Sequence, residues 1–207
     1  MTNPIPLNLA VEDPLTESLF AKILQTIPTE YAPRTIYNRG GFGYLRQNIN
    51  GFNNAAKGIP FLVGTDLDRY ECPASLIQEW LIRPRHNNLL IRVAVREAEA
   101  WVLADSTNLA DFLGIRVGLV PDQVEAIADP KQELINLARR ARSRELREDI
   151  CPPPHSTRKI GPNYNPRLAA FVQSRWDPNA ARERAESLAR AIDRLVAFRP
   201  TWHARQR

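Results

Sequence analysis

The chain opens on an apolar run, IPLNLAVED (Ile5–Asp13), that reads as a strand ending in two acids. Pro14 stands where a helix begins, and Leu15, Leu19, Ile23 and Ile27 follow at helical spacing. Thr35–Tyr37 is a short second strand. A glycine-rich turn, GGFG (Gly40–Gly43), precedes a helix expected from about Tyr44. IPFLVGTDLD (Ile59–Asp68) is too short for a typical helix and ends in acids, which fits a buried strand. CPASLIQEWL starts a helix with Pro73 near its first turn. NLLIRVAVRE (Asn88–Glu97) is a fourth strand, and EAEAWVLADSTNLADFLG is helical up to a C-cap at Gly114.

This alternation predicts an α/β fold, a mostly parallel sheet of about four strands with helices on both faces. Strand signals stop after residue 119. PDQVEAIADPKQELINLARRARSRELRED is helical in pattern. Residues 150–166 hold five of the 17 prolines and form a loop or linker. RLAAFVQSRW and PNAARERAESLARAIDRLVAFR read as two closing helices, the second with Ala185, Leu188, Ile192, Leu195 and Val196 along one face. Two regions are expected: an α/β domain over 1–118, and a helical region over 119–207 packed on it.

The composition, 43% hydrophobic and 25% charged over 207 residues, is ordinary for a soluble globular protein and excludes wholesale disorder. No apolar run approaches the ~18–20 residues of a membrane helix, so no membrane partner is expected. The first residues lack a basic segment followed by a long apolar stretch, and a cytoplasmic protein is the expectation. Cys72 and Cys151, with His86, His155 and His203, give neither zinc spacing nor a disulfide scaffold.

Charge adds a second level of organisation. Of the 28 basic residues 24 are arginine, which suits phosphate gripping and also follows from a GC-rich genome; both readings stand. Residues 1–130 hold 11 basic and 15 acidic residues, whereas residues 131–207 hold 17 and 8. An acidic front and a basic rear suggest a metal-holding half and a polyanion-gripping half, against the alternative of a solvated helical surface.

The acids fall at strand ends: Glu12 and Asp13, Asp66 and Asp68, Glu97 and Glu99. In an open parallel sheet, ligands collect beyond the carboxyl ends of the strands. Alternate residues of an extended segment point the same way, so Asp66 and Asp68 are expected to face one ion together. Clustered carboxylates repel, and a hard cation such as Mg²⁺ (or Mn²⁺) relieves that. The competing reading is that such acids cap helices. Glu12 is expected to be the functional member of its pair, and Asp13 the N-cap beside Pro14.

The order of these motifs, Glu12 in AVEDPLTE and then the DxD of LVGTDLD, resembles the Toprim domain of topoisomerases, primases, small ribonucleases and the nucleases linked to overcoming-lysogenization-defect ATPases. The resemblance implies a Rossmann-like fold over residues 5–118. It implies a general acid/base or metal-binding role for Glu12, and Mg²⁺ binding by Asp66 and Asp68. VED-LTE, GGFGYLR, DLD, RVAVREAEAWVLAD, DPK and GPNYN together resemble a Toprim-like bacterial family of unknown function, over roughly residues 5–200. Its members are encoded beside ATPases in mobile or defence loci, which implies an ATPase partner and a role in antiphage defence. The chain departs from the better-known enzymes where Asp-Pro follows the glutamate in place of glycine. No topoisomerase, helicase or primase module accompanies the pattern.

Glu97 is expected as a further metal ligand, with Glu99 and Asp105 as other options for the shell. Trp101 either stacks on a base or fills the core. Arg96, Arg158 and Lys159, with Tyr164, are candidates for phosphate contact. RRARSRELR, with Arg139 and Arg140, reads as a phosphate-contacting helix or a solvated face. The leading expectation is a Mg²⁺-dependent nuclease; the second is a non-catalytic subunit that binds nucleic acid or an ATPase. A DxD sugar-nucleotide transferase does not account for the arginine-rich tail. A receiver domain lacks its fifth strand and lysine, and a haloacid-dehalogenase phosphatase would carry DxD after the first strand. The sequence leaves DNA against RNA, and homo-oligomerisation, open.

Overall fold

The computed structural model describes residues 3–38 and 40–202; His203 lies outside the described residues. The order is β1 (Ile5–Val11), α1 (Pro14–Thr26), β2 (Tyr31–Tyr37), α2 (Gly41–Ala55), β3 (Phe61–Asp66), α3 (Pro73–Trp80) and β4 (Leu89–Ala94). There follow α4 (Ala98–Ala104), α5 (Ser106–Leu113), α6 (Pro130–Ala138), α7 (Arg144–Ile150), α8 (Tyr164–Ser174), α9 (Pro178–Arg182) and α10 (Glu186–Ala197). The chain divides into two compact units, one up to Ala94 together with residues from Arg190 onward, the other Val95–Ala189. Compactness therefore divides the chain at 94/95 and 189/190, where the motif pattern set its boundary at 118/119.

The first unit holds a four-stranded, all-parallel sheet in the order β2-β1-β3-β4. All six residues of β3 and the last five of β1 are buried, as strands covered on both faces must be. Asp13 does cap α1: its Oδ1 accepts the Thr16 N–H at 2.7 Å, and Pro14 fills the first turn. The α1 face of the sheet runs through Gly64, where an added Cβ would lie 2.2 Å from Phe20 Cε2. The opposite face runs through Phe61, whose ring stacks 5.2 Å from Phe52 of α2. Gly40, at φ +89, lets the chain enter α2 at Gly41, three residues before the expected start.

β2 is longer than the pattern showed. It is an edge strand with mostly exposed residues, and Pro33 interrupts its apolar sequence. The register shifts between Leu7↔Pro33 and Leu9↔Ile36, leaving one extra residue on β2. The side chain of Asn8 repairs the ladder there, its Oδ1 accepting the Thr35 N–H at 3.1 Å. The last described residues of the chain are sewn to this unit. Val196 O accepts from Thr29 Oγ1 at 2.9 Å, and Leu195 O from Tyr31 Oη at 2.6 Å. Asn88, fully buried, exchanges hydrogen bonds with the Thr201 backbone at 2.8 and 2.9 Å.

The second unit is helical among its described residues. Three continuous helical patterns prove to be broken. The segment ending at the expected C-cap Gly114, which does adopt φ +66, is α4 and α5 joined at Asp105. Residues 121–149 resolve into a 3-10 turn at Val124–Ala126, then α6 and α7, capped by Asp129 and Ser143. The final pattern splits into α9 and α10. Each break comes where a side chain or a backbone turn satisfies groups that a longer helix would have paired internally. The proline-rich loop before α8 is pinned at Gly161, whose N–H donates to Ile150 O at 2.9 Å. A Cβ at Gly161 would lie 2.2 Å from Asp149 O, so the approach requires glycine. Both cysteines are free thiols. No helix among the described residues is long and apolar enough to cross a membrane.

Candidate functional site

In the first unit the register Val11↔Gly64 brings the residues just beyond them, Glu12 and Thr65, side by side at the carboxyl ends of β1 and β3. The Thr65 hydroxyl donates to Glu12 Oε1, and the Asp66 N–H donates to the same oxygen at 3.0 Å. Glu12 Oε2 has no hydrogen-bond partner among the described residues. Burial pushes the Glu12 carboxyl up to about 7; the two hydrogen bonds oppose this, and the charges of Asp68 and Asp13 add to it. A carboxyl so placed exchanges a proton near neutral pH.

Asp66 is buried, 6% exposed, at the end of β3. Asp68 is not its strand partner. The Leu67 N–H bonds Ala94 O at 2.9 Å, the chain then turns, and Asp68 stands exposed in the left-handed region at φ +48. The extended alternation that would aim Asp66 and Asp68 together ends at Asp66. Asp68 still lies close enough for its charge to raise Glu12. Among the described residues no group of three or more His, Cys, Asp or Glu side chains stands together as a metal cage. Mg²⁺ needs only one or two protein carboxylates, with water and phosphate completing its shell, so the hard oxygens of Asp66, Asp68 and Glu12 fit it by donor chemistry.

The second unit carries a different constellation. Glu99 is buried, 1% exposed, and its Oε1 accepts from Tyr164 Oη at 2.9 Å and lies 3.3 Å from Lys131 Nζ. Glu97 Oε2 accepts the Lys131 N–H at 3.0 Å, and its Oε1 lies 3.8 Å from Lys131 Nζ. Both acids expected as ligand options are thus engaged by Lys131, in the first turn of α6. Asp105, the third option, is a structural cap: its carboxylate accepts from Asn108 Nδ2 at 2.9 Å and the Asp177 N–H at 2.8 Å. Trp101 is buried in the core, its Nε1 donating to Ser187 Oγ at 2.8 Å.

The cationic candidates separate. Tyr164 is buried against Glu99 and is not a surface partner of Arg158 and Lys159, which are exposed in the proline-rich loop. Arg96 is exposed at φ +64. Arg139 and Arg140 are exposed where α6 has ended, so RRARSRELR is no continuous helix. Arg147 turns inward to the carbonyls of Ala141 and Arg142, and Arg144 pairs with Glu148 at 2.7 Å.

Two residues that sequence reasoning missed are Thr65 and Lys131. Each sat inside a motif already singled out, GTDLD and DPK, but its partner lies 53 positions away for Thr65 and 32 or 34 for Lys131. Comparison of the chain with protein-family models, with curated proteins and with solved structures finds no match.

Proposed function

We propose that this protein is a metal-dependent phosphodiesterase acting on nucleic acid, of the Toprim type that its motif order resembles. The observation that carries the reading is Glu12, fixed through one oxygen by Thr65 and Asp66 at the carboxyl end of a parallel sheet. Its other oxygen is left to exchange a proton, and burial sets its affinity for that proton near neutral. Asp66 and Asp68 would hold Mg²⁺ or Mn²⁺, which when bound activates water and offsets charge on the phosphate. Glu12 takes the proton of the attacking water as the new O–P bond forms, and a proton returns to the leaving oxygen as the old bond breaks. The exposed Arg96, Arg139, Arg140, Arg158 and Lys159 contribute backbone contacts that carry no sequence preference.

The test is cleavage of labelled single- and double-stranded DNA and RNA with Mg²⁺, Mn²⁺ or EDTA. Metal-dependent cutting is expected, abolished in Asp66→Ala/Asp68→Ala and reduced about 100-fold or more in Glu12→Gln. Cutting that survives Asp66→Ala unaltered sinks the assignment.

A second reading, a non-catalytic subunit docked on an ATPase, rests on the departure from the Toprim pattern at Glu12, where Asp-Pro follows in place of glycine. Co-purification of an ATPase with a chain that neither binds Mn²⁺ nor cuts would establish it. An ATPase complex that stimulates cutting instead joins the two readings.

A further inference from the structure

At the opposite end of the sheet from Glu12, where the chain enters β4, the first unit has an open cleft of about 830 Å³. Its walls are the second half of α2, the connection from α3 to β4, and Thr201 near the end of the described chain. Three cations line it, Lys57, Arg83 and Arg85, together with His86, and no carboxylate does. All three are exposed, and none makes an ion pair among the described residues.

The wall is built. Asn50 bridges the connection, accepting the Ile82 N–H at 3.1 Å and donating to Trp80 O at 3.0 Å. Asn53 repeats this one turn on, accepting the His86 N–H at 2.8 Å and donating to Pro84 O at 3.1 Å. The two amides hold the backbone carrying Arg83 and Arg85, so little ordering of that segment is left to a ligand. Ile82, on the same segment, is 86% exposed, an apolar surface beside the cations.

Charge behind the cleft has the same sign. The groups that press on the half-buried Arg92 guanidinium of β4 are Arg85 and Arg194, both cationic. Against this, the carboxyl end of α2 contributes only about half a negative charge. Exposed cations carried close together on a held backbone suit the repeating phosphates of a nucleic-acid strand, whose sugars and bases can also cover Ile82.

We propose that the cleft lined by Lys57, Arg83 and Arg85 binds the phosphate backbone of a nucleic-acid strand. This deepens the phosphodiesterase reading by giving its substrate a second foothold. A six-residue strand spans about 20 Å, which separates the foothold from the carboxylates.

The experiment is fluorescence anisotropy of a labelled 20-nucleotide single strand and a 20-base-pair duplex in EDTA, across salt concentrations. Wild type is compared with Arg83→Ala/Arg85→Ala and with Arg83→Lys/Arg85→Lys, each checked by circular dichroism. The alanine pair is expected to bind at least about tenfold more weakly near 0.1 M salt. The slope of log affinity against log salt should fall by about 1.4 on the single strand and 1.8 on the duplex, and the lysine pair should restore it. Binding by the alanine pair within twofold of wild type overturns the proposal, as does a wild type that binds neither probe. Equal displacement of the strand by polyglutamate also overturns it, in favour of an acidic protein partner. Cleavage separates the two readings. Cleft-dependent binding without cutting leaves this proposal standing and removes the phosphodiesterase; cutting with unaltered binding in the alanine pair does the reverse.

Discussion

Thr65 and Glu12 meet across adjacent parallel strands, the Thr65 hydroxyl donating to the carboxylate oxygen that also receives the Asp66 N–H. Burial nonetheless outweighs both hydrogen bonds and lifts the Glu12 carboxyl from 4.5 to about 7. A carboxyl with a folded pKa above its unfolded one binds its proton more tightly in the native state. Its stabilising contribution is complete below pH 4.5 and is lost as pH rises through 7. Glu12→Gln is therefore expected to match wild type at pH 4 and to exceed it by about 1–3 kcal/mol at pH 8. Thermal melts at the two pH values check this; equal differences at both would show that Glu12 is not the titrating group. Thr65→Val removes a hydrogen bond to the charged form, so it should move the acidic limb of any pH–rate profile upward.

Gly64 is set by the approach of α1. A methyl group there would lie 2.2 Å from Phe20 Cε2 and 3.1 Å from Thr16 Cγ2. Gly64→Ala should cost about 1–3 kcal/mol in denaturant unfolding. Phe20→Leu in the same chain should recover part of that loss. Simple additivity of the two substitutions would mean that the ring is not the obstacle.

In the second unit the buried Glu99 depends on Tyr164 and Lys131. Tyr164→Phe removes a hydrogen bond to a carboxylate and should destabilise by about 1.5–3 kcal/mol. Lys131 is 33% exposed, between the surface and buried extremes for an ion pair, so Lys131→Met should cost about 1–3 kcal/mol. A double-mutant cycle of Lys131→Met with Glu99→Gln should show coupling of the two sites; its absence would make the pair incidental.

Arg92 has a buried Nε without a hydrogen-bond partner, and desolvation, with Arg85 and Arg194 beside it, lowers its pKa to about 10. Arg92→Met keeps the aliphatic stem and removes the unpaired charge. It should raise the melting temperature by about 2–4 °C, the shift that about 1 kcal/mol gives in a chain of this size. A fall of that size would mean that the guanidinium finds compensation that its surroundings do not show.

The local signals were strong where they rested on short-range physics. Pro14 and Asp13 announced the start of α1, the apolar run before Asp66 announced a buried strand, and Gly114 announced a helix end. Periodicity failed where long-range contacts chose the boundary. Asp105 interrupts a continuous apolar pattern because its carboxylate also serves the Asp177 N–H, 72 positions away. β2 hid its first half because an edge strand buries little, and Pro33 sits at a register shift that the side chain of Asn8 repairs.

The candidate site divides in the same way. Sequence alone determined which residues carry ionisable chemistry and that Glu12 and Asp66 fall at strand ends, because hydrophobic periodicity fixes where a strand stops. Tertiary structure decided what each carboxylate meets. Strand register set Thr65 against Glu12, a turn in the left-handed region took Asp68 out of the strand, and α6 placed Lys131 against Glu97 and Glu99. Proton affinity and ion pairing depend on burial and on distances of a few ångströms, and a linear order of residues contains neither.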